Sequence, residues 1–347
     1  MCNIAGYIGK RPAAPILSEM MKRQEGFGGG YYTGITTHDG KNMHSVKVLG
    51  DMKNLLAETD CLSFPGNLGF LHSRSKSGGG IEWGQPYTSY DNRVSYIANG
   101  TFGHFLDDKH KKLRCDIAQA LEKEGVTYRS RCEGAVGNYP HLSDGTSIHG
   151  SDIVCQQIAY NINKGMSPDL AMSRAISNNP GEIVGLIIEK DRPDSIFVTR
   201  VNFPMMIGVA KDGDTYIATT ALAFPDDVEF EFIESLPAPA TCEIFHGGYR
   251  VSAHPVEIDG VAPVTPDVWA KCYKKVEEVL SQGTHVSVQK TIDSIRPLVE
   301  GTLIQGSHIV YECLRAFKNE GRLKVVKVEA EGAFDGYKTD NFHVQII

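Results

Sequence analysis

Two reactive groups stand together at the start of the sequence, which begins Met1-Cys2. Removal of the initiator Met1 would leave Cys2 with a thiol and a free α-amine on the same Cα atom. A thiol must lose its proton to act as a nucleophile, and an α-amine with an unperturbed pKa of roughly 8 can serve as its base. In most proteins the second residue has no catalytic role. The residues that follow Cys2 therefore decide whether it is a candidate nucleophile or an ordinary second residue.

A short apolar run follows the cysteine and predicts a β-strand over residues 3–8, closed by Gly9. A strand fixes a chain end that would otherwise fray. A catalytic terminus needs such fixation, because proximity accelerates a reaction only when the geometry of the reacting groups is held. The pattern therefore favours Cys2 as a candidate nucleophile.

An arginine ends another predicted strand, Gly69-Phe70-Leu71-His72-Ser73-Arg74, and a segment rich in Ser and Gly follows it at 75–80. Taken alone, an arginine at a strand end is usually a surface salt-bridge residue. We interpret His72, inside this strand, as structural. The glycines at 78–80 predict a mobile loop after Arg74.

The strand predicted at 93–98 runs directly into Asn99-Gly100. Asn-Gly is the commonest signal for a hairpin turn, and that is one interpretation. The other is an oxyanion site, in which the side-chain NH₂ of Asn99 and the backbone N–H of Gly100 stabilise a developing negative charge by roughly 3–4 kcal/mol. Further along, Ser151-Asp152 opens a predicted helix at 151–164, with Ser151 as its N-cap; a Ser-Asp pair there is also ordinary capping.

These segments, in this order, resemble a known family. The string Cys2-Asn3-Ile4-Ala5-Gly6-Tyr7-Ile8-Gly9 resembles the start of class II glutamine amidotransferases, which are N-terminal-nucleophile hydrolases. Two scaffold segments, Arg200-Val201-Asn202-Phe203-Pro204-Met205-Met206-Ile207-Gly208 and Tyr216-Ile217-Ala218-Thr219-Thr220-Ala221-Leu222, also resemble the family. The order and spacing are similar to the glutaminase domain of glutamine–fructose-6-phosphate aminotransferase, and the resemblance covers roughly residues 2–256.

The resemblance implies a role for each motif. Cys2 is the nucleophile, and Asn99 with Gly100 holds the oxyanion. Arg74 binds the α-carboxylate of glutamine, which a planar guanidinium matches with two parallel hydrogen bonds. Asp152 binds the α-ammonium group. The implied chemistry requires no metal and no cofactor.

The sequence departs from the family pattern at three places. Ser75 stands where an aromatic residue is often found, Ser77-Gly78-Gly79 replaces Thr-His-Gly, and Ala98 replaces the histidine of His-Asn-Gly. These departures favour, to a modest degree, an alternative function: an inactive glutaminase-like module that binds glutamine or regulates a partner through its C-terminal domain. Glutamine binding without turnover, measured by calorimetry, distinguishes that module from an enzyme. A third hypothesis, a hydrolase of another amide, predicts that Arg74 and Asp152 do not face each other across a pocket.

Composition limits the remaining choices. The 347 residues suggest one large domain or two ordinary ones, no apolar run is long enough to cross a bilayer, and the first residues lack the pattern of a secretory signal. We therefore expect a cytoplasmic protein. Eight scattered cysteines without a CxxC pair argue against a zinc site or a disulfide framework, and Cys155 and Cys313 are expected to be buried. The net charge of −7 argues weakly against nucleic-acid binding.

The pattern of elements predicts two domains. Residues 2–256 carry short strands and a few helices, which is typical of an α+β fold, and the resemblance implies the four-layer α/β/β/α sandwich of N-terminal-nucleophile hydrolases. Residues 126–150 are predicted to form a loop near the site. Pro263 and Pro266 mark a linker at 261–266, after which 263–347 is predicted as a small winged-helix-like domain of three helices and two strands, outside the resemblance.

Winged-helix domains often bind DNA through a recognition helix. Here Lys and Arg number 11 from residue 263 onward and Asp and Glu also number 11, with Glu312 and Glu320 on the predicted third helix. A neutral module of this kind is a poor phosphate binder, so packing or contact with a protein is favoured over nucleic acid. The expected partners are glutamine as substrate and a separate acceptor or synthase subunit for the ammonia, with homo-oligomerisation left open.

Overall fold

The structure is a computed structural model that describes residues 2–76, 78–253, 262–303 and 305–347. Met1, Ser77, residues 254–261 and Ile304 therefore lie outside the described residues, and these include the predicted domain end at 256 and Val261, the first residue of the predicted linker. The strands, in chain order, are β1 (Asn3–Ile8), β2 (Tyr32–His38), β3 (Met43–Leu49), β4 (Leu68–Arg74), β5 (Tyr87–Thr88), β6 (Val94–Thr101), β7 (Glu182–Glu189), β8 (Ile196–Arg200), β9 (Met206–Ala210), β10 (Thr215–Ala218), β11 (Phe230–Ser235), β12 (Ala240–Phe245), β13 (Gly248–Ala253), β14 (Val286–Ser287), β15 (Leu323–Glu331) and β16 (Lys338–Ile346).

Helices occupy the segments between these strands. They are α1 (Ala13–Gln24), α2 (Met52–Glu58), α3 (Asp108–Lys123), α4 (Gly150–Asn163), α5 (Pro168–Asn178), α6 (Pro266–Leu280), α7 (Val288–Val299) and α8 (Gly306–Asn319). The predicted α+β fold agrees with this arrangement. No helix in the described ranges is long and apolar enough to span a membrane.

The strand that follows Cys2 lies in the middle of a seven-stranded sheet, whose order is β11-β9-β10-β1-β4-β2-β3. β1 pairs antiparallel with β10 on one side and with β4 on the other. Its first residue, Asn3, lies opposite Ser73. This register brings Cys2 to the end of β4 at which Arg74 is found.

A second sheet of six strands has the order β13-β12-β8-β7-β6-β5. It carries Asn99 and Gly100, which lie inside β6 and pair with Val184 and Ile183 of β7. The hairpin-turn interpretation of Asn-Gly is therefore wrong, because the strand continues through both residues. A side chain at position 100 would place its Cβ 2.6 Å from the carbonyl oxygen of Glu182, so the close approach of β7 requires glycine.

Alternating residues of β1 fill two different cores, as a strand with both faces covered demands. Ile4 and Ile8 belong to an apolar cluster that combines residues of both sheets. Ala5 and Tyr7 belong to a cluster on the opposite face, which contains the buried residues of α1. On the second sheet, Tyr96 of β6 packs in a cluster with residues of α4 and α5.

The C-terminal segment forms three helices and a small sheet in the order α6-β14-α7-α8-β15-β16. Its sheet has the strand order β14-β16-β15; the sequence predicted β15 and β16 but not the two-residue β14. The core of this segment also takes in Phe27 and Leu222 from the N-terminal part of the chain, so the two parts share a packed interface.

Polar contacts join the same interface. The Tyr337 hydroxyl donates to Asp51 at 2.5 Å, and the Thr339 hydroxyl donates to the other oxygen of that carboxylate at 2.7 Å. Asp51 also caps α2 by accepting from the backbone N–H groups of Lys53 and Asn54. The helix α2 was not predicted from the sequence, although the capping aspartate is its ordinary start signal.

Candidate functional site

Four of the five predicted site residues line one cavity of about 480 Å³. Cys2 directly precedes β1, Arg74 ends β4, and Asn99 and Gly100 lie near the end of β6. Asp152 does not line this cavity, although its neighbours Gly150 and Ser151 do. The structure thus brings together residues that are separated by up to 98 positions in the sequence.

The Asn99 side chain forms two hydrogen bonds with the backbone of Cys2. Its Nδ2 donates to the Cys2 carbonyl oxygen at 3.0 Å, and the backbone nitrogen of Cys2 donates to Asn99 Oδ1 at 3.4 Å. An amide NH₂ carries two donors, so Nδ2 keeps a second hydrogen for another acceptor. The Sγ atom of Cys2 lies 3.9 Å from the Ser75 hydroxyl oxygen, which places Ser75 beside the candidate nucleophile.

Arg74 is buried, with 2% of its surface exposed. Its Nη1 donates to the carbonyl oxygen of Trp83 at 3.2 Å, and its guanidinium lies 5.2 Å from the centre of the Tyr32 ring and 6.0 Å from that of Trp83. These contacts orient a cation at the wall of the cavity. A surface salt bridge, the ordinary interpretation of an arginine at a strand end, does not describe this environment.

The segment after Arg74 turns back on itself at two glycines. Gly78 and Gly79 both have positive φ, +95° and +68°, a backbone conformation that L side chains rarely adopt. A Cβ atom at position 79 would also lie 2.2 Å from the Trp83 ring. The glycine run therefore has a structural cause in the close approach of this turn to Trp83.

Asp152 is buried at the start of α4 and its carboxylate is fully engaged inside the protein. One oxygen accepts from the backbone N–H groups of Arg129 and Ser130 at 2.7 and 2.8 Å and from the Ser130 hydroxyl at 2.8 Å. The other accepts from Gln156 at 2.7 Å. Burial raises the pKa of Asp152, although these hydrogen bonds oppose the rise. Through these hydrogen bonds, the Asp152 carboxylate fixes the backbone at Arg129 and Ser130.

Gln85 and His72 are buried and hold the strand that carries Asn99. The sequence did not predict a role in the site for either of them. The Gln85 side chain accepts from the Ala98 N–H at 2.5 Å and donates to the Ala98 carbonyl at 3.2 Å. His72 Nε2 lies 3.0 Å from that carbonyl oxygen, and burial lowers the pKa of His72 to about 3. His72 is thus neutral and structural, as predicted. Gln85 had no signal in the sequence.

The irregular segment 124–149 supplies another part of the wall. Asn138, Tyr139 and His149 line the cavity, which agrees with the prediction of a loop near the site. His149 is the N-cap of α4, since its Nδ1 accepts from the Ser151 N–H at 3.1 Å; the prediction of Ser151 as N-cap was wrong. Burial holds the pKa of His149 well below its usual value, so its ring is neutral and its proton lies on Nε2.

Cys155 and Cys313 are buried, as predicted, and none of the eight cysteines forms a disulfide; all eight lie within the described ranges. The described lining of the cavity includes the Cys2 thiol, the Asn99 amide, which can donate, and the buried guanidinium of Arg74. This set can bind a carboxylate and attack a carbonyl carbon held near Asn99 and Gly100.

Comparison with known proteins gave relatives but no matching family model. The chain is 25% identical over 227 residues to the glutamine–fructose-6-phosphate aminotransferase of Pyrococcus horikoshii, which covers 65% of this chain and 33% of that protein. It is 25% identical over 255 residues to the same enzyme of Methanosarcina acetivorans, covering 71% and 37%. The chain thus spans about a third of the length of the curated relatives it matches, and the predicted resemblance is confirmed.

Solved structures show the same fold. The glutamine phosphoribosylpyrophosphate amidotransferase of B. subtilis matches with a TM-score of 0.59 and 15% identity, over 86% of this chain and 64% of that chain. A structure described as the allosteric regulatory enzyme of purine biosynthesis matches with a TM-score of 0.58 and 16% identity, over 90% and 63%.

Proposed function

We propose that this chain, a sequence relative of class II glutamine amidotransferases, hydrolyses the side-chain amide of glutamine to glutamate and ammonia. Cys2 is the nucleophile, Asn99 and Gly100 stabilise the oxyanion, and Arg74 binds the α-carboxylate. The main support for the proposal is the pair of hydrogen bonds between the Asn99 side chain and the Cys2 backbone. Both residues line a cavity that Arg74 also lines.

The first step is activation of the thiol. Removal of Met1, which lies outside the described residues, converts the backbone nitrogen of Cys2 into an α-amine. Asn99 Oδ1, 3.4 Å from that nitrogen, accepts one hydrogen of the amine and so orients its lone pair. The amine takes the thiol proton directly or through a water molecule, which leaves the thiolate as nucleophile.

The thiolate then attacks the side-chain carbonyl carbon of glutamine. As the C–S bond forms, the carbonyl oxygen becomes an oxyanion that accepts from the second hydrogen of Asn99 Nδ2 and from the Gly100 N–H. The protonated amine of Cys2 gives its proton to the amide nitrogen, the C–N bond breaks, and ammonia leaves. A γ-glutamyl thioester remains on Cys2.

Water completes the cycle. The α-amine removes a proton from the water, which adds to the thioester carbonyl; the same two donors stabilise the second oxyanion. Collapse of this intermediate breaks the C–S bond, releases glutamate and restores the Cys2 thiol. No step calls on a metal or a cofactor.

We assign this activity to residues 2–256, arranged as the four-layer α/β/β/α sandwich of N-terminal-nucleophile hydrolases. Support comes from the two sheets that share one core, with α1 on one outer face and α4 and α5 on the other. Residues 263–347 are assigned as a winged-helix-like domain that contacts protein, an assignment supported by its order of helices and strands. The ammonia goes to a separate acceptor or synthase subunit.

The test measures glutamate release from glutamine by protein whose intact mass demonstrates loss of Met1. Wild-type protein is expected to release glutamate, and Cys2→Ala is expected to release none. Equal rates for the two proteins, including equal absence of release, would overturn the proposal. Calorimetry on the same samples identifies the regulatory alternative, which predicts glutamine binding without turnover.

The position of Asp152 favours a second candidate, a hydrolase of another amide that carries a carboxylate but no ammonium group. The carboxylate of Asp152 serves the Arg129-Ser130 turn instead of the cavity wall. Asp152→Asn distinguishes the candidates: a rise in KM for glutamine with kcat retained supports the role of Asp152 in holding the ammonium group. An unchanged KM in a folded variant supports the second candidate.

A further inference from the structure

A single carboxylate joins the wall of the cavity to the C-terminal segment. Glu182 is the first residue of β7 and lies opposite Thr101 at the end of β6. Its side chain is 12% exposed. One oxygen accepts from the side-chain NH₂ groups of Asn202 and Gln305, both at 2.8 Å, and the other accepts from the backbone N–H of His104 at 3.2 Å. Glu182 therefore connects three separate segments of the chain.

The segments on the N-terminal side of this connection also form part of the cavity wall. The lining residues that lie within two positions of Glu182, His104 or Asn202 in the sequence are Thr101 is excluded here only by distance; those within reach are Phe102, Leu106, Ile183 and Phe203. At Gly103 the backbone has a positive φ of +50°, and a Cβ atom there would overlap Oε2 of Glu182. The chain thus wraps closely around the carboxylate, and the position of this part of the wall depends on where the carboxylate is held.

The same carboxylate is close to the proposed oxyanion donor in the sheet. Gly100 pairs with Ile183, the residue after Glu182, and β6 ends one residue later, at Thr101. The hydrogen bond from the His104 N–H to Glu182 holds the chain three residues beyond that end. A backbone N–H stabilises an oxyanion only when its position is fixed in advance. The anchor at Glu182 therefore supports the strand end that carries the Gly100 N–H.

The C-terminal segment contributes Gln305 and the helix that follows it. Gln305 is the N-cap residue of α8, and its side-chain NH₂ donates across the interface to Glu182. Arg200, at the end of β8, donates through Nε to the carbonyl oxygen of Phe203 at 2.6 Å. Burial lowers the pKa of His308 in α8 to about 3, and the charge of Arg200 lowers it further. The start of α8 thus lies against the same strand ends that support the cavity wall.

We propose that Glu182 is a positioning residue for the oxyanion site, and that Gln305 makes its position depend on the C-terminal segment. The inference rests on the proposed Cys2 chemistry, because the strand end that Glu182 holds carries the Gly100 N–H. With Gln305 in place, three donors hold the carboxylate. The C-terminal segment therefore has a part in glutamine hydrolysis, as a support of the site.

The test replaces the donor from the C-terminal segment. Gln305→Glu places a second carboxylate next to Glu182, and like charges repel. In the full chain without Met1, kcat for glutamine is expected to fall roughly 10–100-fold, as a small displacement of a catalytic group predicts. Because Arg74 lies on β4 in the other sheet, KM is expected to stay within about threefold of wild type. A kcat within about threefold of wild type, or a loss in KM alone, would overturn the proposal.

A matched control and a double variant test the contact itself. Gln289 also donates to a carboxylate, that of Asp293 within α7, so Gln289→Glu makes the same change away from the interface and is expected to keep kcat within about threefold. Glu182→Gln with Gln305→Glu exchanges the carboxylate and the amide. This double variant is expected to have a kcat at least about fivefold above that of Gln305→Glu alone. An equal loss in the control, or no recovery in the double variant, contradicts the assignment.

Amide hydrogen exchange separates this inference from the proposed function, because it requires no turnover. Since Glu182 holds the N–H of His104, residues 101–106 are expected to exchange at least about tenfold faster in Gln305→Glu than in wild type or Gln289→Glu. Faster exchange in a protein that does not hydrolyse glutamine refutes the proposed function and supports the connection to the C-terminal segment. Unchanged exchange refutes the connection, even where glutamine is hydrolysed.

Discussion

Replacement of Asn99 by alanine is expected to reduce glutamine hydrolysis far more than it reduces stability. The side chain of Asn99 is 2% exposed and is joined to Cys2 by two hydrogen bonds, of 3.0 and 3.4 Å. Asn99→Ala removes both and leaves the Cys2 carbonyl without that donor. It also removes the proposed oxyanion donor, which acts only in the transition state.

The two effects differ in size. An unmade hydrogen bond at a buried acceptor lowers the free energy of unfolding by about 1–3 kcal/mol. Loss of one oxyanion donor lowers kcat by roughly 10²–10³-fold. We therefore expect a folded Asn99→Ala protein with a modest fall in unfolding free energy and a kcat reduced by at least two orders of magnitude.

The assay measures kcat for glutamine alongside urea unfolding. Asn67→Ala is the matched control, because Asn67 donates to the carbonyl oxygen of Gly9 at the opposite end of β1 and does not line the cavity. The control is expected to lose stability but to keep kcat within about threefold. A kcat for Asn99→Ala within tenfold of wild type, or an equal fall in the control, would refute the proposed role of Asn99.

Three further expectations follow from buried polar contacts. Gln85→Leu removes both side-chain hydrogen bonds to Ala98 and is expected to lower kcat by roughly 10–100-fold through displacement of Asn99; an unchanged kcat in a folded protein contradicts this. Burial raises the pKa of Glu25 from 4.5 to about 7, so the folded state holds a proton between those values that the unfolded state has lost. The free energy of unfolding therefore falls as pH rises from 4.5 to 7, by up to about 3 kcal/mol from this group. Urea titrations at pH 4.5 and pH 7 are expected to show a smaller fall for Glu25→Gln than for the wild-type protein. An equal fall in the two proteins refutes the reasoning. Tyr337→Phe removes one donor to the Asp51 carboxylate and is expected to lower the free energy of unfolding by about 1–3 kcal/mol, whereas Tyr273→Phe, whose hydroxyl meets the exposed Glu320 at 3.3 Å, is expected to have little effect; equal losses contradict this difference.

The sequence predicted structure best at positions where a single physical requirement, such as burial or a close backbone contact, determines the residue type. β1 and β4 were predicted within two residues of their bounds, because their apolar runs are bounded by polar or glycine positions. Gly100 is required by the approach of the β7 backbone, and Arg74 ends a strand that is buried throughout. Such local constraints are visible in a single chain.

The remaining site residues depend on contacts between distant segments. Gln85 acts through the backbone of Ala98, and nothing in its own neighbourhood indicates that partner. His149 replaced Ser151 as the N-cap of α4 because the helix starts one residue earlier than the hydroxyl pattern predicted. The contacts of Asp152 also could not be predicted from its neighbours in the sequence. It was predicted to bind substrate, but its carboxylate accepts a hydrogen bond from the backbone N–H of Ser130, 22 residues earlier in the chain.

The central position of β1 has a consequence for the timing of synthesis. Its partner β10 ends at Ala218, so at ~5–20 residues per second the ribosome needs roughly 10–40 s after making β1 to supply that neighbour. During this interval the sheet around Cys2 is incomplete, whereas in the completed sheet Cys2 lines the cavity wall. Under the proposed mechanism, slower translation is expected to raise the fraction of molecules that have lost Met1, which intact mass measures.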